Sequence, residues 1–401
     1  MSRAEVYIVG AARTPIGVLN GSLASMTAAQ LGAVAVREAL HRGRVAPSEV
    51  QECFIGNVVS ANIGQAPARQ VALGAGLPEA VVCTTVNKVC ASGLKAVILA
   101  AQSIALGACD VAVAGGAESA SNVPFYLPGA RQGLRLGHGA VVDGVIKDGL
   151  WDPYGDKHMG NCAETCAREH NISRAAQDEH AATSFARARA AVDAGFFAAE
   201  IAPVAVVSKK GTVRVAQDES VSKGGDPATL AKLAPAFQRQ GGTVTAGNAS
   251  GINDGAAAVV LASAAAVKRL GLVPLALIRG WGEAAHTPER FTTAPALAIP
   301  KALSAAGVSS GQVDAWEINE AFSVVIRANE LLLGLDPAKV NICGGAVALG
   351  HPVGASGCRI LVTLLNVLTS RGGALGCAAI CNGGGGASAL VVQRLFPQPK
   401  L

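Results

Sequence analysis

Residues 91–119 read ASGLKAVILAAQSIALGACDVAVAGGAES, and residues 355–388 read ASGCRILVTLLNVLTSRGGALGCAAICNGGGGAS. The two stretches follow one plan. Each opens on Ala-Ser-Gly and continues with apolar residues at helical spacing, Leu94, Val97, Ile98 and Ala101 in the first and Cys358, Leu361, Leu365 and Leu368 in the second. Glycine then stops each predicted helix. Gly107 ends the first, and Gly372 with Gly373 ends the second after Arg371, whose charge suits the carbonyl end of a helix. A short apolar strand follows in both, from Val111 to Ala114 and from Cys377 to Ile380, and runs into a glycine cluster.

The likeness extends upstream. Glu38-Ala39-Leu40, Val50 and Ile55 match Lys301-Ala302-Leu303, Val313 and Ile318 at identical separations. The spacing therefore predicts two copies of one strand-and-helix unit, residues 1–119 and about 275–401, in an α/β layered fold. The halves divide as 1–270 and 271–401, with an insertion at about 120–247 inside the first, where Pro, Gly and charge increase and a long helix runs from Ser173 to about Phe197. A covering lid over a site between the halves is expected there. Thr243-Val244-Thr245 is expected as a strand and the run after Asp254 as a helix, both returning to the first copy.

Bulk composition excludes several classes. Only 15% of residues are charged and 50% are hydrophobic, which fits packed domains and not disorder. A net charge of +5, with Lys and Arg scattered, offers no basic stripe for nucleic acid. The longest uncharged apolar stretch, near residues 256–267, is about half of a bilayer span, so no membrane crossing is expected. Strand-like Val6-Tyr7-Ile8-Val9 follows the start too closely for a leader, and a cytoplasmic location is expected. The C-terminal Pro399-Lys400-Leu401 differs from the peroxisomal Ser-Lys-Leu signal in its first residue, which keeps peroxisomal import as an alternative. Ten cysteines without a secretory context are expected as free thiols. His158, Cys162, Cys166 and His170 are spaced four apart, but on a helix the outer pair would be about 18 Å apart, and zinc bonds are about 2.0–2.3 Å long, so no metal site is expected.

The chemistry concentrates at the starts of the two repeated helices. In VNKVCASG, residues 86–93, Cys90 stands where a strand passes into a helix, beside backbone N–H groups without intrahelical partners. Those dipoles are expected to favour the thiolate near neutral pH. At the matching place in the second copy stands Gly350-His351-Pro352-Val353-Gly354, and a base facing a thiol explains both turns. Cys381 precedes Asn382 and four glycines at the end of that copy, and Asn319 in Asn319-Glu320-Ala321-Phe322 offers an amide at the same sheet edge. The glycine run lacks the Gly-Lys-Ser/Thr of a P-loop.

VNKVCASG, NEAF, GGAVALGHPVGASG and CNGGGG, in this order and spacing, resemble the four signature blocks of the thiolase family across essentially the whole chain. The resemblance implies two duplicated βαβαβαββ halves in a layered α/β sandwich, with central helices between two sheets and an inserted loop domain, assembled as a homodimer or homotetramer. It implies that Cys90 is the nucleophile that takes the acyl group, His351 the base that activates it, and Cys381 the acid/base at the α-carbon. Asn319 would hold a water that, with the histidine, stabilises the enolate oxygen, and the amides of Cys90 and Gly383 would form a second oxyanion hole. His158-Met159-Gly160 resembles the loop that closes over short acyl groups, which implies acetyl-CoA and acetoacetyl-CoA as substrates and CoA as product. Ser250 is the expected pantetheine contact, Phe322 the expected pocket wall, and Lys223 an expected nucleotide contact in place of the arginine and serine of some relatives. No cofactor is implied, and a potassium requirement stays open. Departing from the frequent Ile after the second catalytic cysteine, this chain has Asn382. A 3-ketoacyl-CoA thiolase of broader chain length is the alternative. Ketoacyl synthases pair their cysteine with two histidines, and Asn319 occupies one of those places here.

Overall fold

The computed structural model describes residues 4–209 and 211–395. Residues 399–401, which carry the peroxisomal alternative, lie outside them. The strands that build the main sheet are β1 (Val6–Arg13), β2 (Glu52–Gly56), β3 (Val82–Val86), β4 (Val111–Ser119) and β5 (Asn253–Ser263) in the first half. The second half supplies β6 (Ala276–Ala285), β7 (Ala315–Ile318), β8 (Leu375–Asn382) and β9 (Gly386–Arg394). The order is β7-β8-β9-β6-β1-β5-β4-β2-β3, with the short strand Gly17–Val18 on β5. Each half repeats one topology: β2 is parallel to β4 as β7 is to β8, and the pairs β4/β5 and β8/β9 are antiparallel. The partner of β3 in the second half shrinks to one parallel bridge between Trp316 and Val340.

The halves meet in the sheet only at Tyr7↔Leu277 and Ile8↔Ala276, so two sheets are joined at one corner. Helices fill and cover them: α1 (Ala28–Gly43), α2 (Pro67–Gly74), α3 (Ser92–Ala105), α4 (Met159–Glu169), α5 (Arg174–Asp193), α6 (Pro295–Ala306), α7 (Ser323–Leu333) and α8 (Val353–Arg371). One core joins α3 and α8 to the inner faces of both sheets, through Ile98, Leu361, Val259 and Leu390 among others. Separate cores lie under α1 and α2 on the first sheet and under α6 on the second. The duplicated helices are thus the central layer between the two sheets, as the family resemblance implies. Among the described residues α8 is the one helix long and apolar enough to cross a membrane, but 78% of it is buried inside the protein.

Two expectations fail. The run after Asp254 is strand β5, buried at every position, and the helix begins only at Ala264. An alanine-rich run covered on both faces carries no period that distinguishes strand from helix. Thr243–Thr245 is not a strand, because the N–H groups of Thr243 and Val244 are taken by the carboxylate of Glu164 at 2.8–2.9 Å instead of by a neighbouring strand.

Where the two copies touch, the contact is made of backbone. A Cβ on Gly56 or Gly93 would stand 2.8 or 2.9 Å from the carbonyl of Gly354, and one on Gly357 would stand 2.5 Å from the amide of Leu94. Glycine at these points lets the starts of α3 and α8 meet without side chains between them.

Candidate active site

The turn before α3 is strained into shape. Val89 has φ of +47°, an outlying conformation for a β-branched residue. Its amide donates to Asn87 Oδ1 at 3.0 Å, the Lys88 amide donates to Ser92 Oγ at 2.8 Å, and the Ser92 hydroxyl donates to the Val89 carbonyl at 2.6 Å. Glu283 of β6 grips both sides of this turn through Lys88 at 2.5 Å and Lys95 at 2.6 Å. Cys90 is thereby fixed just ahead of Ala91, the N-cap of α3.

His351 is fixed by the other half. Its amide donates to Asn253 Oδ1 at 2.9 Å, and its Nδ1 lies 2.6 Å from Ser356 Oγ, whose proton goes to the Pro352 carbonyl at 2.9 Å. The serine therefore accepts from Nδ1–H, and Nε2 is left as the basic nitrogen, buried with no bond to another side chain. Burial and the positive charge of Arg359 push His351 down to about 3, so the imidazole is neutral.

Cys90 and His351 line one cavity of about 340 Å³, together with Gly383, His158, Met159, Ser250 and Phe322. The expectation of a thiolate near neutral pH is corrected here. Burial pushes Cys90 up to about 11, against the opposing pull of the Gly383 and Cys90 amides and with the Glu118 charge adding to the rise. Half-burial in the cavity strips part of the water that would solvate the anion, and two amide dipoles recover only part of that loss. Both groups are thus neutral at rest in the shared cavity, so proton transfer must accompany attack of the sulfur on an electrophile.

Cys381 and Asn319 are fully buried and, unlike Cys90 and His351, are not among the residues that line the cavity. Burial and the nearby Cys90 hold the Cys381 thiol well above its ordinary range. Neither polar atom of the Asn319 side chain bonds to another residue. The following Glu320 anchors that turn, accepting from Ser184 at 2.7 Å, Val347 N at 3.0 Å, Asn341 Nδ2 at 3.0 Å and His180 at 3.1 Å. Burial works against the charge, but His180 and these donors outweigh it and hold Glu320 at about 2. Ser250 is tied to the same turn, both its amide and its hydroxyl donating to the Ala321 carbonyl.

His158 caps α4, accepting from the Gly160 amide at 3.0 Å, and its ring stacks on Phe237 at 4.7 Å. Phe237 in turn meets Phe322 edge-on at 6.3 Å. These three rings roof the cavity, and Phe237 is a residue that sequence reasoning missed, its one signal being the scarcity of aromatics. Lys223 is not brought to the cavity: it is exposed and paired with Glu219 at 3.0 Å. Asn382 donates to the Gly383 carbonyl at 2.8 Å and so belongs to the turn, not to the cavity wall. Cys162 and Cys166 are buried on α4, and no metal-binding group of His, Cys, Asp or Glu occurs among the described residues.

A thiol and a neutral imidazole, delivered by two copies of one α/β unit to one cavity, form a constellation suited to covalent acyl transfer. Residues 6–265 match the family model for the thiolase N-terminal domain, and residues 272–394 match that for the thiolase C-terminal domain. The chain belongs to the thiolase family. It is 59% identical to acetyl-CoA acetyltransferase 2 of Arabidopsis thaliana, over 98% of this chain and 97% of that one. It is 55% identical to a Gibberella zeae protein named a cytosolic acetyl-CoA acetyltransferase, over 97% and 98% of the two chains. The structure of a thiolase from Ascaris suum in complex with coenzyme A superposes with a TM-score of 0.93 at 44% identity, covering 98% of this chain and all of that one.

Proposed function

We propose that this enzyme is an acetyl-CoA C-acetyltransferase, condensing two acetyl-CoA to acetoacetyl-CoA and CoA and catalysing the reverse thiolysis. The observation that carries the reading is the unprotonated His351 Nε2 in the cavity that holds Cys90. As the Cys90 sulfur attacks the thioester carbonyl, its proton passes to Nε2. The amides of Cys90 and Gly383, which already act on the sulfur, receive the developing oxyanion. CoA leaves as the thiol by taking the Cys381 proton, and acetyl-Cys90 and a protonated His351 remain. The Cys381 thiolate then takes an α-proton from the second acetyl-CoA, and Asn319, through its water, and the protonated His351 stabilise the enolate oxygen. The enolate carbon attacks acetyl-Cys90, acetoacetyl-CoA is released, and the Cys90 sulfur recovers its proton from His351.

The short-chain preference is supported by the rings of His158, Phe237 and Phe322, with Met159 in the same cavity lining. Ser250 faces the pantetheine arm. Lys223 reaches the nucleotide only if it leaves Glu219. The reaction needs no cofactor beyond its CoA thioesters. The two halves divide near residue 270, with 120–247 as the covering insertion. Exposed Phe125, Leu127, Leu134, Leu136 and Val141 in that insertion support assembly of copies into a homodimer or homotetramer. The name of the fungal relative supports a cytoplasmic location. Steady-state rates over a series of 3-ketoacyl-CoA chain lengths test the assignment. A maximum at acetoacetyl-CoA is expected, and a clear preference for longer chains would replace it with a broad-range 3-ketoacyl-CoA thiolase.

A further inference from the structure

We propose that Glu118 is a positioning residue for acyl transfer: its carboxylate ties the first turn after His351 to the half that carries Cys90, and it sets the charge beside the thiol. The proposal rests on the pairing of Cys90 with His351 described above. Glu118 is next to last in β4 and only 2% exposed. Its Oε1 accepts from Asn57 Nδ2 at 3.1 Å and from the Val59 amide at 3.3 Å. Its Oε2 accepts from the Val58 amide at 3.0 Å and from the Gly354 amide at 3.0 Å. Asn57, Val58 and Val59 follow β2 in the first half, whereas Gly354 lies in the first turn of α8, three residues past His351. One oxygen thus bridges the two copies.

The bridge has a physical reason. The first amides of a helix have no intrahelical acceptor, and a carboxylate there satisfies one while meeting the positive end of the helix dipole. There is little slack, since a Cβ on Gly354 would stand 2.8 Å from Glu118 Oε2. Glu118 also lines the cavity shared by Cys90 and His351. Burial pushes it up to about 7, the amides of Val58, Val59 and Gly354 pull it back, and Asp254 adds to the rise. The charged or titratable groups around it are Cys90, His351 and Asp254, and its own charge raises the Cys90 thiol.

Glu118→Gln keeps the size, removes the charge and turns an amide N–H toward donors. In the full-length protein, the alkylation rate of Cys90 by iodoacetamide, read on its peptide by mass spectrometry from pH 6 to 10, is expected to rise at least twofold at pH 8, because a negative neighbour is lost. Thiolysis of acetoacetyl-CoA is expected to move the other way, with kcat falling about 10- to 100-fold, as small misplacements of reacting groups do, and KM staying within about threefold. A merely structural glutamate would leave the alkylation profile superimposed on that of the wild type, and that result overturns the proposal, as does an unchanged kcat. If the glutamine variant does not fold, Asn57→Ala removes one donor and leaves the carboxylate charge in place, so kcat is expected to fall by a smaller factor with KM within about threefold, and an unchanged kcat overturns the proposal. Alkylation needs no acyl-CoA, so a wild type inert toward acetoacetyl-CoA would defeat the acyl-transfer reading separately.

Discussion

Ser92 and Ser356 occupy the same place in the two copies and each donates back to a carbonyl of the turn before it, Ser92 to Val89 three residues back at 2.6 Å and Ser356 to Pro352 four residues back at 2.9 Å. They differ in what they receive. Ser92 accepts the Lys88 amide and braces the nucleophile turn, whereas Ser356 accepts His351 Nδ1 and fixes the tautomer of the base. Ser356→Ala is expected to lower kcat/KM about 10-fold, the worth of one ordinary hydrogen bond, with KM for acetyl-CoA little changed. Equal activity of the variant would show that Nε2 is presented without the serine.

The two thiols assigned to the proposed reaction are expected to be separable. Cys90→Ala is expected to abolish acyl-enzyme formation, while Cys381→Ala still acylates but forms no carbon–carbon bond. Intact-protein mass spectrometry after exposure to acetyl-CoA reads both, through an added acetyl group on the Cys381 variant alone.

Acid stability carries the signature of the buried base. His351 falls from an ordinary 6.5 to about 3 in the folded protein, so between those values the unfolded chain binds more protons. Stability from this group is full above 6.5 and is lost as pH falls from 6.5 toward 3. The urea midpoint of His351→Asn is expected to decline less steeply than that of the wild type across this window. Parallel curves would mean that the imidazole protonates freely in the folded state.

The aromatic roof is expected to set chain length. A Cβ at Gly160 would overlap the Phe237 ring, so Gly160→Ala is expected to displace the roof and to impair acetoacetyl-CoA turnover. Phe237→Ala is expected to open the cavity and to raise kcat/KM for 3-ketohexanoyl-CoA relative to acetoacetyl-CoA by at least about 10-fold, on the scale of apolar pocket discrimination. An unchanged ratio would place the chain-length limit elsewhere.

Much of the fold was legible because duplication writes itself twice. The Ala-Ser-Gly starts, the glycine stops and the matched upstream positions located both central helices and put Cys90 and His351 at equivalent turns. Periodicity failed where both faces are covered, as in β5, and where a side chain replaced a strand partner, as Glu164 does for Thr243 and Val244. Glu118, Asn253, Ser356 and Phe237 were missed, since each acts on a group far away in sequence or by a bond that no residue pattern marks.

The amino-acid order by itself determined the duplicated α/β units, the thiol and imidazole at their helix starts and the kind of chemistry those groups support. Tertiary structure alone decided the protonation of the pair. Helix dipoles, which are local, favour a thiolate at Cys90, but burial in a cavity lined by both halves raises the thiol to about 11, and that burial is a property of the assembled chain.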